Sequence, residues 1–403
     1  MRVLVVHNMY SSRVPSGENL SVFNEVSWLR EAGVEVHLHE TTNDQLFGRS
    51  RFDQLGQAVW SVWSSPAKRE IEAVIDDFAP DLVHVHNLFP LLTASVPAAA
   101  LRLGLPVVWT VRNTRVVCVN GTYFRDEAPC HECRPGWRVP GIRYGCYGSS
   151  PVPAALVTGA TSLYRRLARR RVTTLAISDS MRRWLVDTAG FDAERVHVKY
   201  NGVAEPPADL PLPPPAANRT FVFAGQLIAY KGLQLLLDAW RRADLPDDVE
   251  LRIVGSGRQA DLVAAAAAAD PRITQAGHVP APSMPAQFAA ARAVVVPSTW
   301  DEPFGRVAAE AQAYGRPVVT TGLGGLGEIV DDTTGWVTGA DVGALAAALA
   351  EAARSDEAVT TRGEAARRRH AQQFSPAATT RVLLDRYEAT LRAHAQATET
   401  SPR

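Results

Sequence analysis

Glu302 and Glu310 stand with seven residues between them in the stretch Ser298-Thr299-Trp300-Asp301-Glu302-Pro303-Phe304-Gly305-Arg306-Val307-Ala308-Ala309-Glu310. The run VVVPS that leads into it reads as a buried strand, and the chain then breaks into a tight loop and a helix. Pro303 presets a backbone angle suited to a first helical turn, and Gly305, lacking a Cβ, lets a bound group approach the main chain. The N–H groups of such a helix start attract anions. Carboxylates are poor partners for phosphate but good acceptors for sugar hydroxyls. An anion site flanked by two of them therefore points to a sugar-phosphate compound. Two solvated glutamates beside a helix start would leave the same trace in this stretch alone.

Lys231 follows an apolar strand, with Gly225 and Gly232 on either side of its loop, where a flexible ammonium reaches a diphosphate. An ordinary surface lysine fits the same residues. The loops Gly255-Ser256-Gly257-Arg258 and Gly322-Leu323-Gly324-Gly325-Leu326-Gly327-Glu328 also follow strands. Gly322, Gly324 and Gly327 satisfy G-x-G-x-x-G, but no ribose-binding acid follows about 20 residues on after a second strand, so the dinucleotide signal is weak. Lys231 precedes Gly232 in place of Ser or Thr, which excludes the nucleotide-triphosphatase phosphate loop. G-x-S-x-G is absent, which argues against a serine hydrolase of the usual α/β type. No two aspartates stand two residues apart, so the short acidic motif that holds a metal on a diphosphate is missing. Leaving-group charge then falls to Lys231, other basic groups and helix dipoles.

These loops need scaffolds to hold them. A chain of 403 residues exceeds what one core supports, so two domains are expected. Lys plus Arg number 42 and Asp plus Glu number 42, so no global field draws the chain to nucleic acid. No apolar run reaches the roughly 18 residues that span a bilayer, and MRVLVVHNMY lacks the features of a signal peptide, which suggests a cytoplasmic protein. Short apolar strands at 1–7, 34–38, 82–86, 107–111, 174–177 and 196–200 alternate with helical segments, and the pattern restarts at 221–223, 250–254, 273, 293–297 and 317–320. Such alternation predicts α/β architecture: two doubly wound, Rossmann-like domains, each a parallel sheet covered on both faces. The boundaries fall at 1–203, with a Cys-rich irregular insertion over about 112–155; a Pro-rich linker at 204–218; 219–375; and a helix at 376–395 that packs back towards the first domain. Residues 396–403 read as a frayed tail. Ligands of doubly wound domains bind at the carboxyl ends of the strands, which places the active site in the cleft between the two sheets.

The order FAGQLIAYKG, LRIVGSG, AGHV, VVVPSTWDEPFGRVAAEAQAYGRPVV and GLGGLGEIV-DDTTGWV resembles the retaining glycosyltransferases of family 4, whose architecture is GT-B. The first half agrees through the Gly17 loop, DLVHVHN, AISDSMRRWL and VKYNGV. The resemblance implies that Glu302 holds hydroxyls of the donor sugar and Glu310 the nucleotide ribose. It implies that the backbone at Phe304, Gly305, Arg306 and Val307 contacts sugar and phosphates, that Lys231 grips the diphosphate, and that Gly17 and Gln226 border the donor. Two departures stand out. Gln226 replaces the arginine usual beside the lysine, and Arg112-Asn113 replaces the histidine usual after the strand at 107–111. Arg112 is the candidate for the missing charge, and with Glu302 and Lys231 it completes the expected catalytic set. Retention of anomeric configuration, with no metal required, is implied as a same-face displacement in which the departing phosphate deprotonates the acceptor. His86 is a second candidate base, although a structural histidine at a strand end fits equally. A GT-B epimerase or hydrolase of sugar nucleotides, or a catalytically silent sugar-nucleotide-binding protein, are the alternatives.

Cys118, Cys130, Cys133 and Cys146 fall in the insertion as C-x11-C-x2-C-x12-C. Four thiolates at these spacings suit a tetrahedral structural zinc, and unligated or transiently oxidised thiols suit them too. A Cys-rich insertion with NGT-F-R-D before the C-x-x-C and G-C-Y after it resembles one found in a subset of these transferases. The basic stretch 164–171, with Trp60 and Trp63 in another amphipathic segment, reads as a weak peripheral contact with the inner membrane face or as a solvated arginine face over core tryptophans. The expected partners are a nucleotide-diphosphate sugar and an unidentified acceptor.

Overall fold

The computed structural model describes residues 1–11, 16–46, 62–134, 137–148 and 150–400. Pro15, Trp60 and the final tail residues 401–403 lie outside the described residues. The chain divides into two compact units. Unit 1 comprises Met1–Arg125, Pro129–Gly202 and Thr379–Arg403, and unit 2 comprises Asp126–Ala128 and Val203–Ala378.

Unit 1 is built on a parallel sheet of β1 (Arg2–Met9), β2 (Glu35–Thr42), β3 (Leu82–Val85), β4 (Val107–Val111), β7 (Thr173–Ala176) and β8 (Val196–Val198) in the order β2-β1-β3-β4-β7-β8. The short hairpin of β5 (Phe124–Arg125) and β6 (Ala128–Pro129) stands apart from it. Val3, Leu4, Val5 and Val6 of β1 are all essentially inaccessible, the continuous apolar run of a strand covered on both faces. The strand order turns between β1 and β3, so the carboxyl ends of these two strands flank the crevice where a ligand of unit 1 would sit.

Unit 2 repeats the plan with β9 (Thr220–Ala224), β10 (Glu250–Val254), β11 (Ile273–Gly277), β12 (Ala291–Val296), β13 (Val318–Thr320) and β14 (Gly335–Val337) in the order β11-β10-β9-β12-β13-β14, all parallel. Strand β14 is a sixth strand that the sequence pattern does not announce, because three residues opening on a glycine give no periodicity to read. Here the turn falls between β9 and β12, whose carboxyl ends carry the Lys231 loop and the Glu302 loop. The helix Leu233–Arg242 illustrates how the sequence covers the sheet. Leu233, Leu236, Leu237 and Trp240 recur at three- and four-residue spacing and are buried, while Arg241 and Arg242 complement the dipole at its carboxyl end.

The Pro-rich stretch after residue 203 belongs to unit 2 and, against the expectation of a plain extended connector, carries a turn at 208–210 and a 3-10 helix at Pro215–Ala217; it is tied down where Arg316 donates to the Pro213 carbonyl at 2.7 Å and Arg292 to the Ala216 carbonyl at 3.3 Å. The irregular insertion ends earlier than its composition suggests, since a helix runs over Pro151–Arg171. The last helix, Pro376–Thr400, continues past the expected end near 395. From Thr379 onward it is part of unit 1, where Leu383 and Tyr387 are fully buried against Val3, Val5 and Val22. Trp63 is 38% exposed and is not a core residue, contrary to its amphipathic context. Among the described residues no helix is long and apolar enough to cross a membrane.

Candidate active site

In unit 2 two loops are stitched together before any side chain is considered. The Thr299 N–H donates to the Tyr230 carbonyl at 3.0 Å. Gly232 adopts a left-handed φ of 76°, and a Cβ there would lie 1.8 Å from the Pro297 carbonyl oxygen. Only glycine permits that approach. Lys231 is thereby fixed beside Glu302, and its ammonium donates to Glu302 Oε1. The Ser298 hydroxyl donates to the same oxygen at 2.7 Å. Both bonds fall on Oε1, so neither engages Oε2.

Glu302 is 7% exposed. Burial pushes its carboxyl upward, but the Lys231 charge, the Lys231 hydrogen bond and the Ser298 hydrogen bond outweigh burial and hold it below the usual glutamate value. The carboxylate is therefore ionised and fixed in direction. The Lys231 ammonium also lies 5.7 Å from the Trp300 ring centroid and 5.9 Å from that of Tyr230, within cation–π range.

A third loop locks the second. The Gly325 N–H donates to the Glu302 carbonyl at 2.7 Å, and Glu302 and Gly324 form an isolated parallel bridge. A Cβ on Gly324 would stand 2.5 Å from the Glu302 carbonyl oxygen, and one on Gly305 would stand 2.4 Å from Leu326 Cδ2. Gly324 and Gly325 serve this interlocking of main chains, while a Cβ on Gly322 would meet Val337 and one on Gly327 the Gly322 carbonyl, so each of these glycines has a packing role without a dinucleotide.

Beyond Gly305, at φ 97°, the helix Arg306–Ala313 begins with no side-chain cap. A helix start of this kind offers its first N–H groups to an anion. The Phe304 side chain is buried, so its backbone is what it offers to a ligand. Arg306 and Glu310 pair along the helix at 2.8 Å, and Val307 is half-buried between them. Gln226 is exposed. The structure thus brings Lys231 and Glu302 together, with Phe304 and Gly305 in the same loop and Arg306, Val307 and Glu310 on the helix that follows it.

Gly17 and Arg112 belong to unit 1. Gly17 is the exposed first residue of the helix Gly17–Glu31, behind the capping residue Ser16. Arg112 follows β4, is 7% exposed, donates to Asn201 Oδ1 and lies 3.6 Å from Glu25. Glu25 is the hub of a buried group that sequence reading overlooks. Lys199 donates to its Oε2, His86 Nε2 lies 3.4 Å from its Oε1, and His84 Nδ1 lies 3.7 Å from the same oxygen. His84 also bonds the Tyr387 hydroxyl at 2.6 Å and the Thr110 hydroxyl at 2.7 Å. A signal did exist: Glu25 sits three residues after Val22 and four before Leu29, on the buried face of its helix. Burial raises the Glu25 carboxyl, yet Lys199, His84 and Arg112 bring it down to about 2. Burial drives His84 to about 3 and keeps His86 well below its ordinary value. His86 is a neutral member of this group, 1% exposed.

Glu25, His84 and His86 are the one three-ligand group among the described residues whose donor atoms lie within 4.8 Å of one another. They are ill suited to a cation. The Lys199 ammonium already holds Glu25, and both His84 nitrogens are engaged. The four cysteines are free thiols, Cys118 and Cys133 buried, Cys130 and Cys146 partly exposed, and no three of their sulfurs close to that distance. In the basic stretch Tyr164 and Ala168 face the core, while Arg165, Arg166, Arg169 and Arg171 line one surface groove with Trp63 and Leu163.

The chain is similar to known proteins along both units. The pattern described as Glycosyltransferase Family 4 matches residues 15–205, and that described as Glycosyl transferases group 1 matches residues 218–355. A D-inositol 3-phosphate glycosyltransferase of Pseudarthrobacter chlorophenolicus is 33% identical over 346 residues, 78% of this chain and 76% of that protein. The enzyme of the same name from Arthrobacter sp. is 35% identical over 251 residues, a match spanning 55% of this chain and 59% of the relative's length. The crystal structure of Anabaena HepE in complex with UDP and glucose shares the fold at a TM-score of 0.64, with 19% identity over 96% of this chain and 100% of that one. With both units matched and one relative aligned over most of its length, the chain belongs to glycosyltransferase family 4, the group 1 glycosyl transferases, on a GT-B fold.

Proposed function

We propose that this glycosyltransferase moves a sugar, with retention, from a nucleotide-diphosphate donor to an acceptor hydroxyl without a catalytic metal. The observation that carries the reading is the Lys231–Glu302 ion pair at the mouth of an uncapped helix. Glu302 Oε2 accepts hydroxyls of the donor sugar while Oε1 stays tethered. The helix start and Lys231 take the diphosphate, and Glu310 takes the ribose. As the bond from the anomeric carbon to the phosphate oxygen breaks, the acceptor oxygen bonds to the same face of that carbon. The acceptor proton passes to the departing phosphate, and the nucleoside diphosphate leaves. Because Gln226 leaves the position beside Lys231 uncharged, Arg112 is assigned the compensating charge, held ready by Glu25 and Asn201.

The UDP and UDP-glucose bound to HepE make uridine diphosphate sugars the first donors to try, and the relatives' names make an inositol phosphate the first acceptor. Weak docking at an inner membrane face is part of the same reading, supported by the arginine groove beside Trp63. Thermal stabilisation by UDP, GDP, dTDP and ADP tests donor recognition. A nucleotide at about 100 times its Kd adds about 2.7 kcal/mol. Stabilisation by none of them would overturn the reading.

A further inference from the structure

Trp300 precedes Glu302 in the loop after β12 and lies beside Tyr230 of the loop after β9, whose carbonyl accepts the Thr299 N–H at 3.0 Å. The two rings stand 4.8 Å apart, tilted by 50°. Together they wall the Lys231 ammonium, which lies 5.7 Å from the Trp300 centroid and 5.9 Å from that of Tyr230. A cation keeps a favourable contact while it moves along such a wall. The indole N–H of Trp300 can only donate. It is buried and makes no full hydrogen bond, yet it acts on Glu302, whose carboxyl it helps hold below the usual value. An idle donor buried beside a carboxylate is a cost unless some state of the site uses it.

The site has such a state, because Lys231 must serve two anions. It donates to Glu302 Oε1 here, and the function proposed above hands it the diphosphate of the donor as well. Its side chain is 26% exposed, so the ammonium has an open side from which to reach a ligand. Gln226 brings no charge to share the task. Once the ammonium turns to the diphosphate, buried Glu302 loses its counter-charge and keeps the Ser298 hydrogen bond at 2.7 Å. A carboxylate so released would be free to swing.

We propose that Trp300 is a positioning residue that exchanges with Lys231: its indole N–H takes the place of the ammonium on Glu302 Oε1 when Lys231 moves to the diphosphate. The exchange rests on the donor reading above for its purpose and on unit 2 alone for its geometry. The N–H is neutral and does not replace the lost charge. It holds the carboxylate in direction, so that Oε2 stays aimed at the hydroxyls of the donor sugar while the ammonium slides along the Tyr230 and Trp300 faces. When the nucleoside diphosphate leaves, Lys231 returns to Oε1 and the indole is released.

Trp300→Phe keeps a ring face and removes the N–H. Full-length wild type, Trp300→Phe, Lys231→Ala and the double variant are compared by urea unfolding without ligand, as a double-mutant cycle. Trp300→Phe should shift the midpoint at least about twice as far in the Lys231→Ala background as in the wild type, because there the indole is already in use. Equal shifts would show a ring that only packs and would overturn the proposal, whatever the donor proves to be. With any nucleotide sugar that the wild type turns over, Trp300→Phe should lower kcat about 10-fold while the Kd of the free nucleoside diphosphate stays within about 3-fold. Trp300→Leu, which also removes the wall, should raise that Kd about 10-fold. A Trp300→Phe enzyme with the wild-type kcat overturns the exchange by itself. A wild type that transfers no sugar counts against the transferase reading, and the unfolding cycle then still decides the exchange.

Discussion

Lys231 and Ser298 both donate to the same oxygen of Glu302, one from the loop after β9 and one from the loop after β12. The carboxylate is oriented by two strands of one sheet, and its second oxygen is engaged by neither donor. Glu302→Gln keeps the shape and removes the charge. It should lower kcat/KM about 100-fold or more while leaving affinity for the free nucleoside diphosphate within about 3-fold, read by steady-state kinetics and calorimetry.

Lys231→Ala should act on both binding and stability. The diphosphate loses its ammonium, and Glu302 becomes a buried carboxylate that keeps the Ser298 hydrogen bond but has lost its counter-charge. A loss of about 1 to 3 kcal/mol in urea unfolding is expected together with weaker nucleotide binding. An unchanged denaturation midpoint would contradict the pairing.

The interlocked glycines make a paired prediction. Gly324 has φ 62° and no room for a Cβ beside Glu302, whereas Gly339 has φ 64° and open space. Gly339→Ala should cost about 1 kcal/mol from backbone strain alone. Gly324→Ala should cost about 2 kcal/mol or more and lower activity, because the Glu302 loop must move. Equal effects of the two substitutions would refute the interlocking.

Acid should destabilise the protein through the Glu25 group. Below the ordinary histidine value of 6.5 the unfolded chain takes up protons that buried His84, at about 3, refuses, and His86 behaves alike. Stability should therefore fall as pH drops below 6.5, by up to about 1.4 kcal/mol per pH unit for each histidine. Glu25, whose folded value of about 2 lies under its ordinary 4.5, adds a further loss between those two values. A flat urea midpoint between about pH 7 and 5 would contradict this. Glu25→Gln should cost about 3 to 5 kcal/mol at neutral pH, since Lys199 and Arg112 lose their shared partner.

Arg112→Ala should lower kcat by about 10- to 100-fold while free nucleotide binding stays within about 3-fold. Normal turnover would remove Arg112 from the mechanism.

The legible parts of this protein were those written locally in the chain. Alternating apolar runs gave both sheets, and the spacing from Glu302 to Glu310 across Pro303 and Gly305 gave a loop and helix start whose geometry follows from those residue types. Lys231 could be nominated from its glycines, but its pairing with Glu302 depends on β9 and β12 being sheet neighbours, which no local pattern states. The glycines at 322–327 look like a dinucleotide fingerprint until Gly324 and Gly325 are seen against the Glu302 loop and Gly322 against Val337. Glu25, His84, Arg112, Lys199 and Tyr387 are scattered along unit 1, and only the sheet order and the returning last helix gather them. Strand β14 is too short to carry a pattern.

A transfer reaction followed by NMR tests the proposed mechanism most directly. The protein is incubated with a nucleotide sugar that stabilises it and with candidate acceptors, and the anomeric configuration of any product is read. A product with the donor's configuration, formed without added divalent metal and lost in Glu302→Gln, is the predicted result. Nucleotide binding without transfer to any acceptor, or a product of inverted configuration, would contradict it.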